Sequence, residues 1–339
     1  MSTSTNQNNQ ATKAAIHELV DALRSCDPDK LKAALHRTFT PDAKIQLGHP
    51  FGKLTGPKEL WETVYEPLTK AMPHFERRDF IMISGPRWGV PNAEEWVGIG
   101  GNFLGTLTSS WLGIPPGTHP VYMRFHEYFK VEDGKVAEMQ GLWDIPQVML
   151  QRQIWPMGRS LGYECMCPGP ANGVGIYSDE RNEDVSEASL QTVWDMLLGV
   201  QKGTSRNPER GLSGFWHEQA NWHGPAGIGS ARGQKDIAQH IFKQFRDGLS
   251  NNTRHLREGV FFAENELVGF TGWPSGTANH TGPGFLGMPP TERIITRSSL
   301  DFWRIENGAV RECWVMVDIL DIYKQMGVDV MARMDQLLS

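Results

Sequence analysis

Two aspartates, Asp144 and Asp318, stand 174 residues apart in matching surroundings, Leu142-Trp143-Asp144-Ile145 and Met316-Val317-Asp318-Ile319. A carboxylate desolvated by apolar neighbours holds its proton more tightly, which brings it into range as a general base or acid near neutral pH. Histidines form a second matched pair, His49 in Gly48-His49-Pro50 and His223 in Trp222-His223-Gly224, each at the end of an expected strand. From such a place an imidazole can reach a pocket, orient a carbonyl or relay a proton. A third histidine, His280, lies before Leu286-Gly287-Met288-Pro289-Pro290 on a segment expected to be mobile and to close over ligand. Each has a plainer alternative: Asp318 as a helix cap or the ion-pair partner of Arg297, His49 and His223 as strand-end residues bonded to backbone, and His280 as an exposed loop residue.

Other chemistries find little support. The histidines, aspartates and the Cys165-Met166-Cys167 run match no metal-ligand spacing, and no glycine loop of the phosphate-cradling type is present, so neither metal nor cofactor is expected. A net charge of −6 with no basic run gives no reason to expect nucleic acid. Hydrophobic content of 39% and charge of 21% describe a globular protein. No apolar stretch is long enough to span a membrane. The opening MSTSTNQNNQ is polar and precedes no signal-peptide core, and the four cysteines form no paired framework. The expectation is a disordered tail over residues 1–11 and a cytoplasmic chain with reduced thiols. The 12 tryptophans suit an apolar small-molecule pocket as well as a core.

The chain is also a tandem repeat. Leu112-Gly113-Ile114-Pro115-Pro116 recurs as Leu286-Gly287-Met288-Pro289-Pro290 at the same 174-residue offset, which then runs without a gap through Gly134 and Gly308, Asp144 and Asp318, and Gln151 and Gln325. Upstream, Gly56-Pro57-Lys58-Glu59-Leu60 answers Gly233-Gln234-Lys235-Asp236-Ile237, and Gly105-Thr106 answers Gly276-Thr277. The division expected is residues 12–152, a Gly- and Pro-rich surface linker over 153–185, and residues 186–339.

Within each copy the elements follow one order. A helix opens at Ile16, Leu19, Val20 and Leu23, or at Leu190, Val193, Trp194 and Leu197. A second begins at Asp27-Pro28 or Asn207-Pro208, where the polar residue caps and proline suits the first turn. A strand and a third helix follow, the latter clearest at Ile237, Ile241, Phe245 and Leu249. Antiparallel strands close the unit, with tight turns at Asp133-Gly134 and Asn307-Gly308. Helices grouped before such a sheet indicate an α+β layer. Regular pairing out from Asn307-Gly308 sets Trp303 opposite Glu312, Asp301 opposite Trp314 and Arg297 opposite Asp318. One face then carries Arg297, Ser299, Asp301, Trp303, Glu312, Trp314, Met316 and Asp318 and is assigned to the pocket. The apolar opposite face is assigned to packing between the two sheets. Glu127 faces its pocket and His126 faces away.

These residues resemble the SnoaL-like polyketide cyclases, a family within the nuclear-transport-factor-2-like superfamily. The likeness is carried by Thr277 to Gly282, Phe285 to Thr291, Ile305 to Gly308, Trp314 to Asp318 and Tyr323 to Gly327. It implies two cone-shaped domains, each with three helices wrapped on a curved antiparallel sheet around a pocket, packed as an intramolecular pseudo-dimer; a further homo-oligomer is left open. It implies a general acid/base role for Asp318, matched by Asp144, in an aldol-type cyclisation or isomerisation of a small hydrophobic carbonyl compound. His280 and His223 would assist, and His49, Trp222, Arg297, Asp301, Trp303, Trp314 and Glu127 would line the sites. A dehydratase or epoxide hydrolase in the same pocket, or a binding protein without turnover, are the alternatives, because this fold hosts all of them. Where the second copy has His280 the first has Leu107-Thr108-Ser109-Ser110, so chemistry is expected in the second half, with the first as its packing partner.

Overall fold

The two hairpin turns expected from sequence set the architecture. Asp133-Gly134 and Asn307-Gly308 all take positive φ, between 49° and 74°, as a two-residue turn between twisted strands requires. The computed structural model describes residues 3–201 and 214–339. In the first half, strands β1 (Phe39–Leu47), β2 (Gly52–Thr55), β3 (Glu76–Pro86), β4 (Glu95–Gly105), β5 (Val121–Glu132) and β6 (Lys135–Trp143) form a sheet in the order β2-β1-β6-β5-β4-β3. In the second, β7 (Trp216–His223), β8 (Ser230–Arg232), β9 (Leu249–Arg254), β10 (Val260–Glu264), β11 (Leu267–His280), β12 (Ile294–Glu306) and β13 (Ala309–Val317) repeat it as β10-β11-β12-β13-β7-β8, with β9 also on β11. Each sheet is antiparallel except where its first strand joins the last, β1 on β6 and β7 on β13, in parallel. The fold is two tandem α+β cones.

Helices cover the concave faces. α1 (Thr3–Ser25) buries Ile16, Leu19, Val20 and Leu23, and α2 (Pro28–Thr38) is capped by Asp27, whose side chain accepts from the N–H groups of Asp29 and Lys30. The third helix of each half passes through a π turn, Trp61–Tyr65 in one and Ile237–Phe242 in the other, and Leu249 opens β9 instead of ending that helix. The helix expected at Asn207-Pro208 lies outside the described residues. Among the described residues no helix is long and apolar enough to cross a membrane.

Two expectations about the connecting chain need correction. Residues 3–11 are not a loose tail but the start of α1: Asn9 is buried and exchanges hydrogen bonds with Ser84, and the Lys13 ammonium sits 2.6 Å from Glu264 of the second half. The segment after residue 152 is not simply draped over the surface. The carbonyl of Cys167 accepts from Asn102 of the first half, that of Pro168 accepts from the Trp314 indole, and the Ala171 N–H donates to Glu312. Polar side chains from both halves tie this proline-rich chain down in the absence of any helix or strand of its own.

The convex faces pack on each other, as the apolar pattern predicts. Ile81, Tyr128 and Leu142 of the first sheet meet Leu300, Phe302 and Met316 of the second. Tyr128 stacks on Phe302 with ring centroids 5.1 Å apart and donates its hydroxyl to the Asp301 carbonyl at 2.7 Å. His126 bonds the Leu300 carbonyl, and Arg124 donates to the carbonyls of His223 and Val315. Phe302→Ala is therefore expected to lower the stability of the whole chain by about 3–5 kcal/mol, the usual result of emptying a buried aromatic site. A fall of the urea unfolding midpoint checks it.

A bulge alters the register of the β12–β13 hairpin. Ile305 faces Val310 as expected, but beyond it Arg304 faces Glu312, Trp303 faces Cys313, and Asp301 faces Val315. The extra residue, Arg311, moves every later β13 side chain to the opposite face. Trp314, assigned from sequence to the pocket, accordingly lies between the sheets, as do Glu312 and Met316. Cys313 and Val315 take their places inside the cone.

Candidate functional site

Alternation along β12 turns Arg297, Ser299, Asp301 and Trp303 into the second cone, all of them buried. Their cross-strand neighbours share that face: Gly276 is opposite Arg297, Phe270 and Val315 flank Asp301, and Val268 and Cys313 flank Trp303. Trp222 pairs with Cys313 and stacks on Trp216, and Arg254 pairs with Gly276. A side chain at Gly276 would strike the Thr253 carbonyl and the Arg297 guanidinium, so only glycine lets that guanidinium lie across the strand. The inner face of the second cone thus gathers one carboxylate and two guanidinium groups among tryptophans of its core.

Its electrostatics suit proton transfer. Burial pushes the Asp301 carboxyl up to about 7, against the opposing pull of Arg254, the Ser299 hydroxyl, the Met316 N–H and Arg124. Ser299 donates to Asp301 Oδ2 at 3.3 Å, whereas Oδ1 is buried and has no protein hydrogen-bond partner. Burial and the like charge of Arg254 push Arg297 down to about 9, still protonated at neutral pH. Arg297 Nη2 donates to Asn252, while its Nε and the indole N–H groups of Trp216, Trp222 and Trp303 are buried without protein partners. An unpaired buried polar atom is costly, and so many in one chamber are suited to a polar guest.

The first cone carries the same plan in a closed form. Glu127 occupies the repeat position of Asp301, and Arg77, opposite Phe103 on β4, answers Arg254. Here the carboxylate is satisfied, although Arg77 Nη2 and the Tyr65 hydroxyl are buried without a hydrogen-bond partner. Arg77 Nη1 lies 2.9 Å from Glu127 Oε2, its Nε lies 2.8 Å from Asp79, and the Trp143 indole donates to Glu127 Oε1 at 3.0 Å. The guanidinium also lies over the Phe125 ring, 4.0 Å from its centroid. Both oxygens of Glu127 are taken, and Asp79 is shared between Arg77 and Arg24, so the inward carboxylate of this cone has no oxygen left to accept a substrate proton.

The structure places the remaining candidates elsewhere. Asp144 and Asp318 do not project into separate cones; both line a cleft between the halves, with Leu47, His49, Phe51 and Trp143. Asp144 Oδ1 caps its own helix, Ile145–Gln151, through the Gln147 N–H, and its Oδ2 accepts from Ala226 of the second half. Asp318 does the same in mirror fashion, with Oδ1 on Asp321 N–H of its own helix, Ile319–Gln325, and Oδ2 on His49 N–H of the first half. Asp318 therefore does not pair with Arg297. Burial pushes these carboxyls up to about 6 and about 7. His223 faces the space between the sheets, stacked on Trp314, because its pairing with Trp314 puts both on the convex face. Burial and Arg124 push it down to about 3, which keeps it neutral. His49 meets Asp318 through its backbone. His280 is not on a mobile segment but ends β11, fully buried, with Nδ1 on the Thr291 hydroxyl and Nε2 unpartnered.

These acids give the stability a definite pH dependence. The carboxyls of Asp301 and Asp318 reach about 7 in the folded protein but titrate near 4 when unfolded, so the folded state binds more protons between those values. Stability from this source is greatest at low pH and is lost as pH rises through 7. Buried neutral His126 and His223 act oppositely below about 6.5, where the unfolded chain would take up protons. Lowering the pH from 8 to 6.5 is expected to stabilise the protein by on the order of 1 kcal/mol, measured as a rise in the urea midpoint.

Arg77, Arg254 and Trp143 were not picked out from sequence. The signal for the two arginines was slight: each lies in a polar run, Glu76-Arg77-Arg78-Asp79 and Asn251-Asn252-Thr253-Arg254, that reads as surface until the cone closes over it.

Residues 196–326 match the family model described as SnoaL-like polyketide cyclase. A sequence comparison with curated proteins gives no significant match. Among solved structures, a protein of Jannaschia sp. CCS1 assigned to the SnoaL-like polyketide cyclases is 18% identical, with 42% of this chain and 90% of that one covered at a TM-score of 0.35. IdmH of Streptomyces antibioticus, assigned as a polyketide cyclase, is 20% identical over 42% and 97%, with a TM-score of 0.34. A nuclear-transport-factor-2-like protein of Burkholderia xenovorans LB400 is 17% identical over 42% and 97%, at 0.33.

Proposed function

We propose that this chain, which belongs through its second half to the SnoaL-like polyketide cyclase family, is a general acid/base enzyme acting on a small hydrophobic carbonyl compound inside the second cone. Asp301 removes a proton next to the carbonyl and returns it, while Arg254 and Arg297 hold the oxygen on which negative charge develops. The tryptophans grip the apolar body of the substrate and shed water from the site. An aldol-type ring closure and a double-bond isomerisation both begin with this step, and the reading covers both. The observation that carries it is the Asp301 carboxyl: buried, poised near neutral pH, and with one oxygen unclaimed by the protein.

The family resemblance implies Asp318 for the same role. Its two oxygens are already engaged by the backbone N–H groups of Asp321 and His49, which favours Asp301 as the proton carrier. The first cone, with Glu127 fully engaged, serves as packing partner. Deuterium exchange at the α-carbon of 2-tetralone, an aromatic ketone, followed by NMR in the wild type and in Asp301→Asn and Asp318→Asn, tests the assignment.

A further inference from the structure

We infer that Asp144 and Asp318 form a reciprocal clamp, in which each half of the chain positions the loop beside the other half's chamber. The four hydrogen bonds are pairwise symmetric. Each aspartate spends one oxygen on its own helix and the other on a backbone N–H across the junction, Asp144 on Ala226 and Asp318 on His49. The N–H groups they reach belong to corresponding loops, one after β1 and one after β7. The repeat has thus kept two contacts and not one.

Each loop leads into a chamber wall. The Ala226 loop contains Gly224, whose backbone lies so close to the Trp222 indole that an added Cβ would sit 2.9 Å from its Nε1. Asp144, a first-half residue, thereby holds a wall of the second cone. In the other direction, the His49 loop carries Phe51, which packs edge-on against Trp143 at 5.7 Å, and the Trp143 indole donates to Glu127 in the first cone. Each loop has a further anchor in its own neighbourhood: the Gly227 N–H donates to the Ser160 hydroxyl, and the Gly48 N–H donates to the Gly141 carbonyl. Asp144 and Asp318 are positioning residues, and the second cone in isolation would lack one of the contacts that fixes its wall. This rests on the reading of the second cone as the reaction chamber only in that Trp222 lines it.

Backbone amide exchange of the full chain, read by mass spectrometry, tests the clamp without any turnover. Losing a hydrogen bond to a carboxylate is expected to speed exchange about tenfold or more. In Asp318→Ala the faster exchange should appear at residues 48–51 of the first half, and in Asp144→Ala at residues 224–229 of the second. A capping role alone would speed exchange at the start of each aspartate's own helix and leave the opposite half untouched, and that result overturns the clamp. Should an alanine variant fail to fold, Asp144→Asn and Asp318→Asn are read in the same way. Unchanged exchange in the opposite loops would leave the Asp301 assignment standing, and normal ketone exchange in Asp301→Asn would leave the clamp standing.

Discussion

Asp301→Asn is expected to slow α-proton exchange of 2-tetralone by about 100-fold or more, the usual contribution of a positioned general base, while leaving the fold intact. Asparagine keeps the shape of the side chain and can still accept from Ser299, but it cannot take a proton. Since burial holds the Asp301 carboxyl up at about 7, its ionised form weighs on the fold above neutrality, so the variant should be at least as stable as the wild type at pH 8. Asp318→Asn, in contrast, should retain the rate to within a few-fold, because Asp318 acts through backbone contacts. The opposite ranking, full loss with Asp318→Asn and none with Asp301→Asn, would move the chemistry to the cleft between the halves and defeat the assignment to Asp301. A pH profile adds a check: the rate should rise with pH and level off above about 7, as Asp301 ionises.

The second large effect is on stability alone. Glu127→Ala removes the carboxylate that Arg77 and the Trp143 indole share inside the first cone, where the arginine and glutamate side chains are wholly shielded. Breaking a buried ion pair from one side leaves the other charge stranded, and the expected loss is about 3–5 kcal/mol. Asp79 still neutralises Arg77, which places the result toward the lower end. Glu127→Gln, which keeps the volume and one acceptor, should cost less. Ketone exchange per folded molecule should not change in either variant. If Glu127→Gln folds normally yet abolishes exchange, the first cone is the reaction chamber and the division of labour is reversed.

Much of the site was legible before the fold. The 174-residue offset, the Asp-Gly and Asn-Gly turns and the alternation along β12 together placed Arg297, Asp301 and Trp303 inside a pocket and Glu127 inside its counterpart. These side chains take the inner faces of their sheets because strand alternation and turn chemistry are local properties of the chain. Trp314 was misplaced because one extra residue at Arg311 shifts the register, and nothing in Val310-Arg311-Glu312 announces a bulge. His223 was misplaced with it, since its strand joins β13 beyond that bulge. The polar opening of the chain concealed a helix because its stabilising contacts, with Ser84 and Glu264, lie far along the sequence.

What the sequence determined by itself is the duplication, the order of elements in each copy and the inward set on β12, all encoded in spacings of a few residues. The tertiary structure decided which carboxylates are free and which are spoken for. Asp318 meets His49 across 269 residues and Asp144 meets Ala226 across 82, contacts that arise only when two sheets dock. Within each cone, contacts between strands of the same half separate Asp301, whose Oδ1 has no hydrogen-bond partner, from Glu127, held on both oxygens. Local pattern settles which face a side chain takes, but partners brought in from the other end of the chain settle what it can do there.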